Sequence, residues 1–262
     1  VDLLALFEGA FGIAPWVVVA LVGVATVAGF VDSIAGGGGL LTVPAALLAG
    51  LPQVEALATN KLQSTFGSFS ATLRFARAGL IDLRSSRIWC LWTLAGAAAG
   101  ALAVSALPAD AIRIGLPALL AAVALFFLLS PRLSDEDARA RISGALFGPL
   151  IGAGVGFYDG LFGPGTGSFF MVGFVALLGY NVRRATAHTK LLNFMSNLAA
   201  LAVFLAGGHA HIALGVAMGL GQFVGARAGA GLAIRDGARI VKPMLVVMCV
   251  AMAARLAWDA WR

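Results

Sequence analysis

Two lysines, Lys61 and Lys190, lie inside apolar stretches, each within about two helical turns of the stretch's start. A cation held at mid-membrane depth costs at least ~2.5–3.5 kcal/mol on insertion scales and is seldom left without a task. It can draw in an anion. It can also snorkel to the nearer surface, or pair with Asp32 or Asp159, the two acids in comparable apolar surroundings. Asn60, Gln63 and Ser64 flank the first lysine, and Thr189, Asn193 and Asn197 the second. Positions 60 and 64, like 189, 193 and 197, share one helix face. That face is too polar for lipid and must turn inward, to line a site or to join helices. Asp32 and Asp159 can titrate, hold the lysines or cap a break in the backbone. His188 titrates near neutral pH and can shuttle a proton, but it has no histidine counterpart in the first half.

Each acid is followed by a glycine cluster: residues 36–39, and Gly163-Pro164-Gly165-Thr166-Gly167. A short apolar segment follows each cluster, reaching roughly 18–20 Å as a helix against a ~30 Å hydrocarbon core. Each is expected to be a half-helix completed by unwound backbone, which survives at that depth only inside protein or along a polar cavity. Free N–H groups and about half a positive charge at such N-termini make an anion cradle. The expected substrate-binding set is Gly37, Gly38, Gly39, Asn60, Lys61, Gln63, Gly165, Thr166, Gly167, Ser168, Thr189, Lys190 and Asn193. Asp32, Asp159 and His188 are expected in proton coupling or charge pairing. In the competing account the glycines only allow close helix packing, as small residues do in membranes. Gly96/Gly100 and Gly221/Gly225/Gly229, spaced by four, are assigned to that packing role.

The elements that must hold these residues follow from hydropathy. Of 262 residues, 60% are hydrophobic and 11% charged, and the mean hydropathy is +0.95. Soluble domains carry roughly a quarter charged residues, so the chain is placed in the membrane. Ten segments are expected: 15–35, 40–51, 54–80, 88–107, 111–130, 142–162, 168–180, 185–207, 212–232 and 241–261. With all ten crossing and both termini periplasmic, Arg84, Arg87, Arg132, Arg139, Arg141, Arg183, Arg184, Arg235, Arg239 and Lys242 fall on the inner side. The outer connections at 52–53, 108–110 and 209–211 carry no Lys or Arg, and only Arg113, Arg255 and Arg262 lie near the outer face. This is the positive-inside pattern, and it fails if the two short segments are re-entrant.

The halves also repeat. Gly29-Phe30-Val31-Asp32 returns as Gly156-Phe157-Tyr158-Asp159, and Ala58-Thr59-Asn60-Lys61 as Ala187-His188-Thr189-Lys190. Phe75 and Gly79 return as Phe204 and Gly208. Five crossings per half invert the second copy, an architecture frequent in transporters with a midplane site. The expected fold is therefore all-α integral membrane, with ten transmembrane segments in two inverted five-segment repeats and Gly-broken short helices. The first repeat spans 15–130, a cytoplasmic linker 131–141, and the second repeat 142–261.

The +6 charge is accounted for by inner loops, so nucleic acid is not expected. Cys90 and Cys249 sit in apolar runs, and no disulfide framework or metal motif is present. His209 and His211, without acids or cysteines, make a weak metal signal, and a solvated loop is expected there. No phosphate-binding loop occurs, and no cofactor is expected. An intramembrane aspartyl protease, suggested by Asp32 and Tyr158-Asp159, needs a Gly-x-Gly-Asp partner motif that this chain lacks, so it is the remote alternative and no catalytic residues are expected; an anion channel stays open as the nearer alternative. The N-terminus shows no charged region followed by a cleavage site, although the chain begins at Val1 without Met.

Gly29-Phe-Val-Asp-Ser-Ile-Ala-Gly-Gly-Gly-Gly-Leu-Leu-Thr-Val-Pro44 and Ala58-Thr-Asn-Lys61 resemble the sulfite exporter TauE/SafE family. In the second half, Gly163-Pro-Gly-Thr-Gly-Ser-Phe169 and Ala185-Thr-Ala-His-Thr-Lys190 resemble the branch known mostly as membrane permeases. The likeness runs from about residue 15 to 255. It implies transport across the bacterial inner membrane of sulfite, thiosulfate, or an organosulfonate such as sulfoacetate, coupled to protons. The partners implied are that anion, protons and the lipid bilayer, and a homo-oligomer is admitted. The His209-Ala-His211 stretch departs from the corresponding turn of the first repeat, Leu80-Ile-Asp82.

Overall fold

The computed structural model describes residues 11–106 and 136–241, with 243, 244 and 247 beyond them. Among the described residues all regular structure is helical: α1 (Pro15–Ala35), α2 (Gly39–Leu48), α3 (Gln53–Arg77), α4 (Leu83–Ala106), α5 (Gly144–Phe147), a π-helical piece π1 (Gly148–Ala153), α6 (Gly154–Leu161), α7 (Thr166–Leu178), α8 (Val182–Ala206) and α9 (Ile212–Asp236). The expected segment 111–130 and nearly all of 241–261 lie outside the described residues, as does the linker before residue 136.

Local chemistry sets the boundaries. Pro15 opens α1, where its missing N–H is no loss. Asp82 caps α4: its Oδ1 accepts the amides of Arg84 at 2.9 Å and Ser85 at 3.3 Å, so the helix starts ahead of the apolar run expected from residue 88. The Ser85 hydroxyl, with these amides, holds the Asp82 carboxyl below the usual carboxylate range. Asn181 caps α8 in the same manner, accepting the Arg184 amide at 2.9 Å. The helix expected as one piece over 142–162 carries π1 in its middle. Pro149 in that stretch has no amide to give, and its loss favours a widened turn. The indole of Trp89 fixes the start of this helix, donating to the Gly144 carbonyl at 2.7 Å.

Among the described residues, four helical stretches are long and apolar enough to cross a membrane: Pro15–Ala35, Leu83–Val104, Val182–Ala206 and Ile212–Asp236. α3 is not among them because Thr59, Asn60, Lys61, Gln63, Ser68 and Ser70 load it with polar side chains, all buried. Polarity is turned inside out across the bundle. Leu48 is 89% exposed, while Lys190 is 0% exposed, the arrangement a hydrocarbon solvent selects.

Packing is reciprocal between the halves. α1 lies against α9, and π1 and α6 lie against α4; α3 lies against α9, and α8 against α4; α3 and α8 pack on each other. Each half thus seats its first and third helices on the fourth helix of the other. The glycines spaced by four make these seats. A Cβ added at Gly225 would lie 1.9 Å from the Thr26 carbonyl oxygen, and one at Gly100 2.0 Å from that of Phe157. The expected packing role for these glycines holds.

One end of the bundle gathers the basic residues. The Asp82 amide donates to His188 Nε2 at 3.3 Å, bringing the start of α4 beside the start of α8. Arg183 donates to the Arg235 carbonyl at 3.3 Å, and Arg184 lies 3.9 Å from Asp137. The amides of Ala138 and Arg141 bond to the carbonyls of Gly179 and Leu177, tying the described part of the linker to that end. At the opposite end the His211 amide donates to the Thr59 hydroxyl at 3.0 Å.

Candidate functional site

The glycine clusters open the backbone between α1 and α2 and between α6 and α7. Gly36 (φ 82°), Gly37 (92°), Gly163 (91°) and Gly165 (85°) take the left-handed conformation that side chains resist. The two breaks touch. A Cβ on Gly36 would lie 2.6 Å from the Ser168 amide nitrogen, and one on Gly39 3.4 Å from Pro164 Cα. Ser168 Oγ donates to the Ala35 carbonyl at 2.8 Å, joining the start of α7 to the end of α1. As expected, both following helices are short. α2 starts one residue earlier than expected and stops three earlier; α7 starts two earlier and stops two earlier.

Each break holds an acid, and each acid is answered by the lysine of the other half. Lys61 Nζ donates to Asp159 Oδ1 at 2.8 Å, with the side chains 1% and 2% exposed. Lys190 Nζ donates to Asp32 Oδ2 at 2.9 Å. The lysines are enclosed by protein rather than drawn out to a surface, and their pairing crosses between halves. The acids also face the new helix starts: Asp32 Oδ1 accepts the Gly38 amide at 3.1 Å, and the Thr166 hydroxyl donates to Asp159 Oδ1 at 2.7 Å. The partial positive charge at each N-terminus therefore already meets a fixed carboxylate.

Between the breaks lies a cavity of about 20 Å³. Its wall includes Asp32, Gly37, Gly39, Asn60, Asp159, Gly165, Thr166, Gly167 and Asn193 of the expected set, together with Gly163, Ser64 and Asn197. The lysines are not on that wall; they stand behind the acids. Asn60 is oriented by the Thr42 hydroxyl at 2.7 Å and the Gln63 amide at 2.9 Å, both donating to its Oδ1. Asn197 donates to the Asn193 carbonyl at 2.7 Å. Gly38, Gln63 and Ser168 form a second layer through the bonds above. Thr189 is fully buried, and a Cβ at Gly167 would sit 3.8 Å from its methyl and 3.2 Å from Lys190 Nζ.

His188 is not brought to the cavity. Its Nδ1 faces the Arg184 carbonyl at 2.8 Å and its Nε2 accepts from Asp82, which fixes the proton on Nδ1. Trp89, Phe174 and Tyr180 surround the ring at centroid distances of 6.3, 5.6 and 5.2 Å. His211 caps α9, accepting the Leu214 amide on Nδ1 at 3.3 Å and donating from Nε2 to the Phe11 carbonyl at 2.9 Å. Both rings have structural partners, and His211 is half-buried rather than fully solvated. Among the described residues no cluster of three His, Cys, Asp or Glu side chains could hold a metal ion.

The crossed pairing has no signature in either repeat taken alone, since it depends on how α3 and α8 pack. Ser64 and Asn197 do carry a signal, because each shares a helix face with an expected site residue.

Residues 21–256 match the family described as Sulfite exporter TauE/SafE. A probable membrane transporter protein of Sinorhizobium sp. is 51% identical over 235 residues, 90% of this chain and 90% of its own length. The probable membrane transporter protein YfcA of Escherichia coli is 45% identical over 254 residues, 97% of this chain and 94% of its own. A probable membrane transporter protein of Haemophilus influenzae is 44% identical over 233 residues, 89% and 91% respectively. No solved structure matches.

Proposed function

The chain belongs to the sulfite exporter TauE/SafE family of membrane transporters, and on that premise we propose that it is a secondary transporter for a small sulfur-containing anion. The cargo is sulfite, thiosulfate or an organosulfonate such as sulfoacetate. It crosses the bacterial inner membrane by alternating access, coupled to protons. The observation that carries this reading is the pair of crossed lysine–aspartate bridges around a closed polar cavity where two broken helices meet.

Two ammonium groups and two carboxylates cancel in the closed cavity, so the site holds no net charge when empty. Protonation of a carboxylate frees positive charge for an incoming anion, and the amides at the starts of α2 and α7 add hydrogen-bond donors. Anion and proton therefore favour each other's binding, which is what coupled transport requires. The reciprocal packing of the halves supports two inverted five-segment repeats over 15–130 and 142–261. The gathering of arginines at one end supports a cytoplasmic position for that end and periplasmic termini.

The test is uptake of labelled sulfite, thiosulfate and sulfoacetate into proteoliposomes, with and without a pH gradient. Saturable uptake of one of them, raised by the gradient and showing counterflow, is expected. No flux of any of the three above empty liposomes overturns the reading, and currents without saturable counterflow would make the protein a channel.

A further inference from the structure

The two acids have different surroundings. Both oxygens of Asp32 have donors, the Gly38 amide on Oδ1 and the Lys190 ammonium on Oδ2. Asp159 receives Lys61 on Oδ1, which also meets the Thr166 hydroxyl that is shared with the Gly163 carbonyl at 2.6 Å. Its Oδ2 is buried without a hydrogen-bond partner among the described residues, on a residue 2% exposed that forms part of the cavity wall. A buried carboxylate oxygen without a donor is costly. The cost is relieved by a donor inside the cavity or by a proton on Oδ2 itself. The cavity, at about 20 Å³, admits a group no larger than about one water in this closed form.

We propose that Asp159 carries the transported proton on Oδ2, one per cycle, while Asp32 stays ionised as a latch, so that the cargo is a monovalent anion; of the cargoes above this selects hydrogensulfite or a monosulfonate over thiosulfate and sulfoacetate, which are dianions near neutral pH. This rests on the transport reading above. The groups facing Asp159 support the count. Lys61 on α3 is its cation. α4 presents Ala97 and Ala101 beside Gly100 toward α6, with no charged group, and α7 contributes the Thr166 hydroxyl. On α8, Lys190 is engaged by Asp32 of α1, and His188 faces Asp82 at a distant point. The neighbouring Tyr158 hydroxyl donates to the Pro164 carbonyl. With both acids ionised the four-group cluster sums to zero.

A proton from water on the entry side binds Oδ2 and makes Asp159 a neutral carboxylic acid in the cavity wall. Lys61 keeps all its protons, and the cluster becomes +1. One monovalent anion returns it to zero. A divalent anion would leave −1 in a low-dielectric enclosure. On the exit side the proton leaves Oδ2 for water as the anion departs, and the Lys61–Asp159 bridge reforms. Only one O–H bond is made and broken.

Infrared difference spectra of the full chain in lipid, titrated across pH without cargo, read the carbonyl band of a protonated carboxylic acid. The band is expected in the natural protein, absent in Asp159→Asn, and kept in Asp32→Asn. Should Asp32→Asn not fold, the paired variant Asp32→Asn with Lys190→Gln removes the bridge without leaving a lone charge. A band that persists in Asp159→Asn, that vanishes in the Asp32 variants, or that never appears overturns the assignment. The band needs no transport, so it speaks separately from the flux test. In proteoliposomes, methanesulfonate, a fixed monoanion, should accumulate with an inward proton gradient, at a rate a clamped membrane potential leaves unchanged. Asp159→Asn should lose at least about tenfold of that accumulation, ~1.4 kcal/mol at 25 °C. Potential-dependent accumulation, or none, overturns the monovalent cargo.

Discussion

Glycine does two different jobs in this molecule, and the contrast separates scaffold from site. On α4 and α9 the glycines spaced by four sit within regular helix. A Cβ there would strike a backbone carbonyl of the partner helix: 2.2 Å at Gly96, 2.0 Å at Gly100, 1.9 Å at Gly225 and 2.3 Å at Gly229. In the breaks, Gly36, Gly37, Gly163 and Gly165 adopt left-handed backbone, and at Gly163 the nearest neighbour is the end of a flexible side chain. A Cβ on Gly163 would meet Lys61 Nζ at 2.7 Å, and one on Gly167 would meet Gly36 Cα at 2.9 Å. Backbone against backbone cannot yield, at Gly36 and Gly167 as in the stripes, whereas the Lys61 ammonium on its flexible stem at Gly163 can. The stripes therefore hold the halves together, and the break at Gly163 leaves room for the Lys61–Asp159 pair to rearrange.

Substitution in the stripes should have the largest effect. Gly225→Leu and Gly100→Leu force the α1/α9 and α4/α6 pairs apart, beyond the ~1–3 kcal/mol typical of overpacking. No monodisperse folded protein is expected on size exclusion. A variant with an unchanged melting temperature would show that the stripes are not the scaffold. Lys61→Ala comes next. It strands the Asp159 carboxylate in the interior, and losing one partner of a buried pair costs about 3–5 kcal/mol. A lowered melting temperature with binding of the transported anion lost is expected. Restoration of stability, but not of transport, by adding Asp159→Leu would show that the pair serves function rather than folding, since apolar replacements of buried pairs are often neutral.

Gly163→Ala is smaller. The φ of 91° is strained for alanine by about 1–3 kcal/mol, and the new methyl displaces Lys61 from Asp159. Uptake should fall further than thermal stability does, the reverse of a stripe variant of equal cost. Equal losses in both measurements would erase the distinction between the two uses of glycine.

Much of this contrast was legible in the sequence. Spacing by four marks helix contact, while consecutive glycines followed by a truncated apolar run mark a break. The helix starts were less legible where polar caps extend them past the apolar core, as Asp82 does for α4, because hydropathy senses lipid contact and not capping. π1 was not legible either, since a single proline is compatible with a kink, a bulge or an end. The polar faces of α3 and α8 pointed inward as expected. Which acid meets which lysine depends on how the two faces cross, and that is a property of packing between residues far apart in the chain: Lys61 with Asp159, and Lys190 with Asp32. His188 looked chemically apt, yet its neighbours Trp89, Phe174 and Tyr180 come from helices and turns that no local pattern places beside it.

Ser168→Ala has the smallest expected effect and tests the breaks most directly. Its hydroxyl bonds the Ala35 carbonyl at 2.8 Å and so joins one break to the other in the closed form. Losing one such bond costs about 0.5–1.5 kcal/mol, read as a small drop in melting temperature. If α1 and α7 separate during the cycle, that bond must break on the way, and its removal destabilises the closed form without touching the cavity wall. Uptake should then proceed at an equal or higher maximal rate, by up to about tenfold for ~1.4 kcal/mol. A stripe residue is expected to offer no such gain, because it packs backbone against backbone. A maximal rate that falls in step with stability would mean that the two breaks move as one body, and the opening would have to be sought between α3 and α8.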